Sequence, residues 1–170
     1  MARVLSVVAP EKFQQIEYLE SKKALEEQGH AVVTASTHQI AFDKADHSYK
    51  ADILLDEVME DDFDAVLFVG GPGIHAYFDD EDFHSVARAF FAAGKLTTAI
   101  CAAPVILGRA GLLNGKKATC FPAQAEELIR SGAEYTEKHV EKDGLIITAD
   151  GPASAYDFGL AISEALQADY

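Results

Sequence analysis

The sequence predicts an α/β protein of three layers, in which helices cover both faces of a doubly wound, mostly parallel sheet. Strand-like and helix-like segments alternate along the chain, and most strand-like segments are continuous apolar blocks. Continuous apolar strands are typical of parallel sheets whose two faces are both covered. The length of 170 residues fits one domain. We therefore expect a single α/β/α domain over residues 1–170.

The first half of the chain begins with a β-rich apolar run and an amphipathic helix that stops at a glycine. A polar, irregular stretch then interrupts the alternation before a buried strand runs into glycines. The predicted elements are, in order, a strand (2–9), a helix (12–29), a strand (30–36), an irregular segment (37–60) with strand-like pieces near 40–42 and 53–55, and a strand (64–73).

The second half of the chain continues the alternation and ends in a hairpin and a closing helix, which has a proline at an early position. Glycine or proline marks most of the boundaries. The predicted elements are, in order, a helix (80–95), a strand (96–100), a helix (103–111), a strand (116–121), a helix (123–133), a hairpin (139–150) that turns at 142–144, and a helix (152–167).

Composition excludes several classes of protein. The formal net charge of −14 makes nucleic acid and anionic membranes poor partners, because an acidic surface repels phosphate. No apolar run approaches the ~18 residues of a membrane span, and the apolar start of the chain is too short for a secretory signal. Two cysteines without an export signal indicate free thiols in a reducing, cytoplasmic compartment. The six histidines show no metal-ligand grouping, so we expect no metal and no cofactor.

A turn of small residues follows the strand predicted at 96–100 and carries Cys101. Strand, small residue, nucleophile, small residue and helix is the order of a nucleophile elbow, and Ala99, Ala102 and Ala103 suit so tight a turn. A thiol at a helix start is favoured as the thiolate by main-chain N–H groups and the helix dipole. The alternative interpretation is that Cys101 is a small, buried hydrophobic residue.

Other segments are expected to meet the elbow. In doubly wound sheets, sites gather beyond the carboxyl ends of the strands. The loop after the first strand, the glycines at 70–73 and Cys101 all follow predicted strands. These three segments should therefore converge at one edge of the sheet.

Three blocks of sequence occur in the order that one protein family uses. They are FVGGPG at 68–73, AICAAPVIL at 99–107 and VEKDGLIITADGPASAYDFGLAISEAL at 140–166. On these blocks the chain resembles the ThiJ/PfpI superfamily, which includes the parkinsonism-associated deglycase and PfpI-type intracellular proteins. The resemblance runs over essentially the whole chain. It implies a flavodoxin-like fold of the class I glutamine amidotransferase type.

The resemblance also implies roles for particular residues. Cys101 is the nucleophile, and Glu17 corresponds to the glutamate that hydrogen-bonds the sulfur as a protonated carboxyl. Burial beside a thiolate raises the pKa of a carboxyl and keeps it a donor. The N–H groups of Gly70, Gly71 and Ala102 are expected to form an oxyanion-binding pocket. Without the resemblance, Glu17 would be an ordinary helix residue and the glycines a tight turn.

Two departures from the family pattern concern histidine. Many PfpI-type members carry a histidine directly after the cysteine, where this chain has Ala102. In the parkinsonism-associated branch a histidine precedes a proline in the following strand, where this chain has Phe121. His75, just past the glycine loop, is a further candidate, with a surface-loop role as the alternative. Cys120 could be a second redox thiol, although a buried structural role is favoured.

Three functions remain open. The first is an enzyme that acts on small reactive carbonyls, like a glyoxalase or deglycase, through Cys101 with Glu17 as proton partner. The second is a non-enzymatic redox sensor or stress-protective protein that works by oxidation of Cys101. The third is an intracellular peptidase or amidase, which the two missing histidines disfavour because thiol peptidases need a Cys–His pair.

The resemblance implies a homodimer that pairs through the first helix region and the glycine-loop side of the domain. Large apolar side chains beyond the glycines, at Ile74, Tyr77 and Phe78, would face water in a monomer. Exposed patches of this kind mark interfaces. The first helix also carries Phe13, Ile16 and Tyr18 on adjoining faces.

Overall fold

The computed structural model describes residues 1–168 and is built around a central sheet. The strands of the described residues are β1 (Arg3–Val7), β2 (Ala31–Ser36), β3 (Ile40–Phe42), β4 (Ser48–Lys50), β5 (Ile53–Leu54), β6 (Ala65–Phe68), β7 (Leu96–Ile100), β8 (Lys117–Ala118), β9 (Glu134–Tyr135), β10 (Val140–Asp143) and β11 (Ile146–Ala149). The α-helices are α1 (Gln15–Glu27), α2 (Glu81–Ala92), α3 (Pro104–Arg109), α4 (Ala125–Arg130) and α5 (Ala155–Ala168).

Seven strands form the central sheet in the order β10-β11-β7-β6-β1-β2-β5. Every neighbouring pair is parallel except β10 and β11, which form the antiparallel hairpin expected from the sequence. The chain order reverses next to β1, as in a doubly wound sheet. The predicted fold class, a mostly parallel sheet with flanking helices, is confirmed.

Each central strand supplies both faces of the sheet because successive side chains point in opposite directions. In β1, Leu5 and Val7 face the side covered by α2, α3 and α4, while Val4 faces the side covered by α1 and α5. All three side chains are fully buried. This two-sided burial is why the strands are continuous apolar blocks in the sequence. Among the described residues, no helix is long and apolar enough to span a bilayer.

The structure differs from the sequence-based expectation in its smaller elements. The strand predicted at 116–121 shortens to the two residues of β8, which pair with β9 in a separate small sheet. β4 and β9 were not predicted, since each is only two or three residues long and polar. β3 and β4 form a hairpin inside the segment that looked irregular.

The segment after the glycines is less exposed than its sequence suggested. It forms a short 3₁₀ turn, Pro72–Tyr77, in which Ile74 is fully buried. The Tyr77 ring packs 4.8 Å from the ring of Phe83 on α2. Ile74 is therefore excluded from the predicted dimer interface, because it is covered within the chain itself, whereas Tyr77 and Phe78 are partly exposed.

Substituting Gly159 of α5 by alanine should destabilise the fold, because α1 and α5 touch there. A methyl group at this position would lie 2.7 Å from the Ser21 carbonyl oxygen and 2.8 Å from the Ala24 Cβ. Backbone cannot yield as a flexible side chain does, so we expect a loss of ~1–3 kcal/mol in the free energy of unfolding. Urea titration measures the loss. The exposed Glu164→Ala on the same helix is the control, and equal stabilities of the two variants would contradict the packing argument.

Candidate active site at the carboxyl end of the sheet

Cys101 lies on a strained turn directly after β7. Its φ of 64° is in the left-handed region that side chains other than glycine rarely adopt. The Cys101 N–H donates to the Ala149 carbonyl oxygen at 2.9 Å, and its carbonyl accepts from the Phe121 N–H at 2.8 Å. The adjoining Ala102 and Ala103 are buried. The ends of β11 and of the segment after β8 thus hold the elbow from both sides.

The glycine loop after β6 approaches the elbow more closely than any other residue type would allow. A Cβ on Gly70 would lie 2.7 Å from the Ile100 carbonyl oxygen and 2.8 Å from both the Cys101 Cβ and the Glu17 Oε1. The next residue, Gly71, has a φ of 114°, where any side chain would be strained. Both glycines are therefore required for contact between the loop and Cys101.

Glu17 reaches this loop from the first turn of α1 and is fully buried. Its Oε1 accepts a hydrogen bond from the Gly70 N–H at 2.9 Å, while the buried Oε2 has no hydrogen-bond partner. Burial raises the pKa of Glu17 to about 7, against the opposing effects of the Cys101 thiol, the Gly70 N–H and the charge of Lys44. Near neutral pH the carboxyl is therefore half protonated, and it shares a hydrogen bond with the Cys101 thiol.

The thiol itself lies in an environment that opposes ionisation. Burial, and then the neighbouring Glu17 carboxylate, raise the pKa of Cys101 above its ordinary value, although the N–H groups of Ala102 and Gly71 donate to the sulfur and oppose the rise. Because the two acids are coupled, the pair releases its first proton near neutral pH and holds the second tightly.

This arrangement corrects two expectations from the sequence. A helix start was expected to lower the pKa of the Cys101 thiol, but α3 begins three residues later, has six residues, and does not overcome burial. The Gly70 N–H was expected in an oxyanion pocket, but it is used by Glu17. The N–H groups that face the sulfur are those of Gly71 and Ala102.

Comparison with known proteins identifies the family of this chain. The family model described as the DJ-1/PfpI family matches residues 2–165. The chain belongs to the DJ-1/PfpI family. A protein named a deglycase from Pyrococcus horikoshii is 34% identical over 155 residues, which cover 91% of this chain and 93% of that protein.

Solved structures of ThiJ/PfpI and DJ-1 proteins have the same fold as this chain. A ThiJ/PfpI domain protein from Brachyspira murdochii superposes with a TM-score of 0.95 at 33% identity, over 98% of this chain and 96% of its own. A DJ-1 from Toxoplasma gondii, described as oxidized, has a TM-score of 0.84 at 30% identity, over 99% of this chain and 97% of its own. These matches span both chains almost fully.

His75, the candidate histidine from the sequence, does not hydrogen-bond to Cys101 or Glu17. His75 is exposed, and its ring lies 4.7 Å from the ring of Phe78. Within residues 1–168, no hydrogen bond connects a histidine to Cys101 or Glu17, and no group of three or more potential metal ligands occurs. The two positions at which the resemblance implies a histidine hold Ala102 and Phe121.

Cys120 is fully buried on the opposite side of the sheet from Cys101. It packs with the cluster under α2, α3 and α4, whereas Cys101 belongs to the cluster under α1 and α5. Burial, and then the charge of Asp150, raise the pKa of Cys120 to about 12. Both features fit the structural role favoured from the sequence.

Lys44 is a residue near the site that sequence reasoning missed. It lies on the turn of the β3–β4 hairpin, where its N–H donates to the Phe13 carbonyl oxygen at 2.9 Å. The hairpin is fixed by the buried Asp43, which accepts hydrogen bonds from the Tyr49 hydroxyl and from N–H groups of the turn. The Lys44 charge lowers the pKa of Glu17. No local pattern marks Lys44, since it comes from a hairpin far along the chain.

Proposed function

We propose that this protein is a cysteine-dependent enzyme that acts on small reactive carbonyl compounds, in the manner of a glyoxalase or deglycase. One observation carries the proposal: the buried carboxyl of Glu17 stands beside the Cys101 thiol with an oxygen that has no other hydrogen-bond partner. A nucleophile next to an acid–base group of pKa near 7 is suited to addition and proton transfer. The similarity to a protein named a deglycase supports this substrate class.

The first step is addition to a 2-oxoaldehyde. The Cys101 Sγ bonds to the aldehyde carbon as the carbonyl π bond opens, and the thiol proton passes through Glu17 to the carbonyl oxygen. The product is a hemithioacetal. The N–H groups of Gly71 and Ala102 stabilise negative charge on the sulfur and on the developing oxyanion, because fixed dipoles need no rearrangement.

The remaining steps need only proton transfers and water. The Glu17 carboxylate takes the proton from the carbon that bears sulfur and returns one to the neighbouring carbon, which converts the hemithioacetal into a 2-hydroxy thioester. Water then hydrolyses the C–S bond, releasing a 2-hydroxy acid and the free Cys101 thiol. One 2-oxoaldehyde and one water become one 2-hydroxy acid. These reaction steps therefore require no external oxidant and no cofactor.

The test is turnover of methylglyoxal without added glutathione. We expect chromatography to show lactate formed in proportion to protein, and a crystal soaked with the dicarbonyl to carry an adduct on the Cys101 Sγ. Absence of both turnover and adduct would overturn the proposal. Turnover that persists unchanged when Cys101 is blocked by iodoacetamide would overturn the assignment of the nucleophile.

A second candidate function is redox sensing or stress protection through oxidation of Cys101. The similarity to a DJ-1 structure described as oxidized favours this alternative. The free Glu17 Oε2, when protonated, and the N–H groups around the sulfur would hold the oxygens of a sulfinate. Oxidation of Cys101 in the absence of carbonyl turnover distinguishes sensor from enzyme.

Mild hydrogen peroxide should convert Cys101 to the sulfinate. Further oxidation of the sulfinate to the sulfonate should then be much slower. The reason is that hydrogen bonds from protonated Glu17 and from the N–H groups of Gly71 and Ala102 stabilise the sulfinate against further oxidation. Intact-mass and peptide mass spectrometry follow the product. Rapid passage to sulfonate, or a disulfide between two chains as the main product, would contradict this prediction.

A peptidase or amidase is not favoured. Thiol peptidases pair the cysteine with a histidine, and the two positions at which the resemblance implies a histidine hold Ala102 and Phe121. His75 is exposed and stacked on Phe78. Casein cleavage that follows the protein through purification and disappears in Cys101→Ser would overturn this conclusion.

We also propose that the chain forms a homodimer, through α1 and β3 rather than through the turn after the glycines. Ile16 and Leu19 on α1 are 48% and 45% exposed, and Ile40 and Phe42 on β3 are 45% and 41% exposed. The Phe13 N–H donates to the Phe42 carbonyl oxygen at 3.3 Å, so β3 lies beside the start of α1. A set of large exposed apolar side chains is typical of an interface.

The variant Ile16→Asp should convert the dimer to a monomer, because it places a charge at the apolar centre of the proposed contact. Light scattering after gel filtration measures the mass. The control is Ile129→Asp, which changes an exposed isoleucine of α4. A wild-type monomer at micromolar concentration would contradict the dimer, and equal loss in both variants would contradict its location.

A further inference from the structure

Phe121 occupies a position that the proposed mechanism does not use. Its N–H donates to the Cys101 carbonyl oxygen at 2.8 Å, so its backbone is attached to the elbow itself. The preceding Cys120 is fully buried, but the Phe121 side chain is 43% exposed. A large apolar ring in contact with solvent therefore adjoins the nucleophile's own backbone.

The surroundings of Phe121 fix where its ring lies. A methyl group placed on Gly151 would lie 3.9 Å from the Phe121 Cδ1, so one edge of the ring rests against the loop after β11. That loop follows Ala149, whose carbonyl oxygen accepts the Cys101 N–H at 2.9 Å. Phe121, Gly151 and the elbow are thus neighbours at the carboxyl edge of the sheet.

The backbone around Phe121 is rigid as well. Pro122 follows directly and opens a short 3₁₀ turn, Pro122–Gln124, and Phe121 before it has φ −55° and ψ 131°. The residue before a proline is restricted to extended conformations. The ring has only two rotatable bonds and loses little conformational entropy when another group packs on it.

We propose that the exposed face of Phe121 is the wall that receives the organic substituent of the electrophile bound by Cys101, so that the site prefers aromatic over methyl-substituted carbonyl compounds. The inference rests on the proposed function for its substrate class. An aromatic substituent gains both apolar burial and ring–ring contact on Phe121, whereas a methyl group covers little of the ring. Phe121 is thus a specificity-determining residue.

The substrate test compares phenylglyoxal with methylglyoxal. We expect Phe121→Ala to lower the ratio of the two kcat/KM values by about fivefold, and Phe121→Leu to lower it less, because ring–ring contact is lost but part of the apolar area remains. The control Ile129→Ala, on α4, should keep the wild-type ratio. An unchanged ratio in Phe121→Ala would overturn the inference.

A second readout separates this inference from the proposed function. Iodoacetamide and N-benzyliodoacetamide share one reactive group and differ by a benzyl substituent, and peptide mapping gives the rate of each at Cys101. We expect Phe121→Ala to lower the benzyl preference by about fivefold. A lowered preference without turnover of any dicarbonyl would reject the enzyme and retain the Phe121 wall. Dicarbonyl turnover together with an unchanged benzyl preference in Phe121→Ala would retain the enzyme and reject the Phe121 wall.

Discussion

Replacing Cys101 by serine lowers the rate of dicarbonyl turnover by about a thousandfold or more, while Cys120→Ser keeps it within about twofold of the wild-type rate. A serine hydroxyl at the elbow ionises far less readily than a thiol, and Glu17, with a pKa of about 7, is too weak a base to activate it. The measurement is lactate formed from methylglyoxal at saturating substrate. Both variants replace a cysteine sulfur by a serine oxygen, one on each side of the sheet.

The Cys120 variant is a matched control because that side chain has no access to substrate. It is fully buried under α2, α3 and α4, and its thiol has a pKa of about 12. Thermal unfolding of both variants excludes loss of fold as the cause. A Cys101→Ser protein that is folded and retains a tenth of the activity would show that the thiol is not the nucleophile.

The large elements of the fold could be predicted because their sequence signals do not depend on distant residues. A strand buried on both faces is rich in apolar residues: β6 is entirely apolar, and the buried polar residues of β1 and β7 are Ser6, Thr97 and Thr98. The short strands β8 and β9 could not be predicted, since their two-residue pairing depends on where the chain lies after the elbow. Thr119 and Phe121 donate their N–H groups to Thr148 and Cys101 instead of extending β8.

The candidate site was only partly predictable. Sequence blocks indicated Cys101, Glu17 and the glycine loop, and the structure brings them together. Assigning each N–H group to its acceptor needs coordinates, because Gly70 and Gly71 are adjacent and point to different atoms. Lys44 and the orientation of His75 depend on tertiary packing of a hairpin and a 3₁₀ turn, for which the local sequence carries no signal.

Glu17→Gln should change the shape of the pH profile of Cys101 alkylation. In the wild type, the Glu17–Cys101 pair releases one proton near pH 7, the pKa of the carboxyl, and only a small fraction of the resulting charge lies on the sulfur, because the pKa of the thiol is raised. The rate with iodoacetamide, which follows the thiolate, should therefore rise through about pH 7 to a plateau. It should rise again at high pH, where the second proton leaves against the charge of the first.

Glutamine is isosteric with the carboxyl but carries no titrating proton, so the step near pH 7 should disappear and a single rise at higher pH should remain. Between about pH 7 and the second wild-type step the variant should react faster than the wild type, because the Glu17 carboxylate that raises the pKa of the Cys101 thiol is absent. Above the second wild-type step it should react faster than at the wild-type plateau, since no carboxylate opposes the thiolate. Glu26→Gln, at an exposed position of the same helix, is the control and should follow the wild-type profile. Superimposable single-step profiles for wild type and Glu17→Gln would show that the two groups do not share a proton, and the acid–base role of Glu17 would fall with that result.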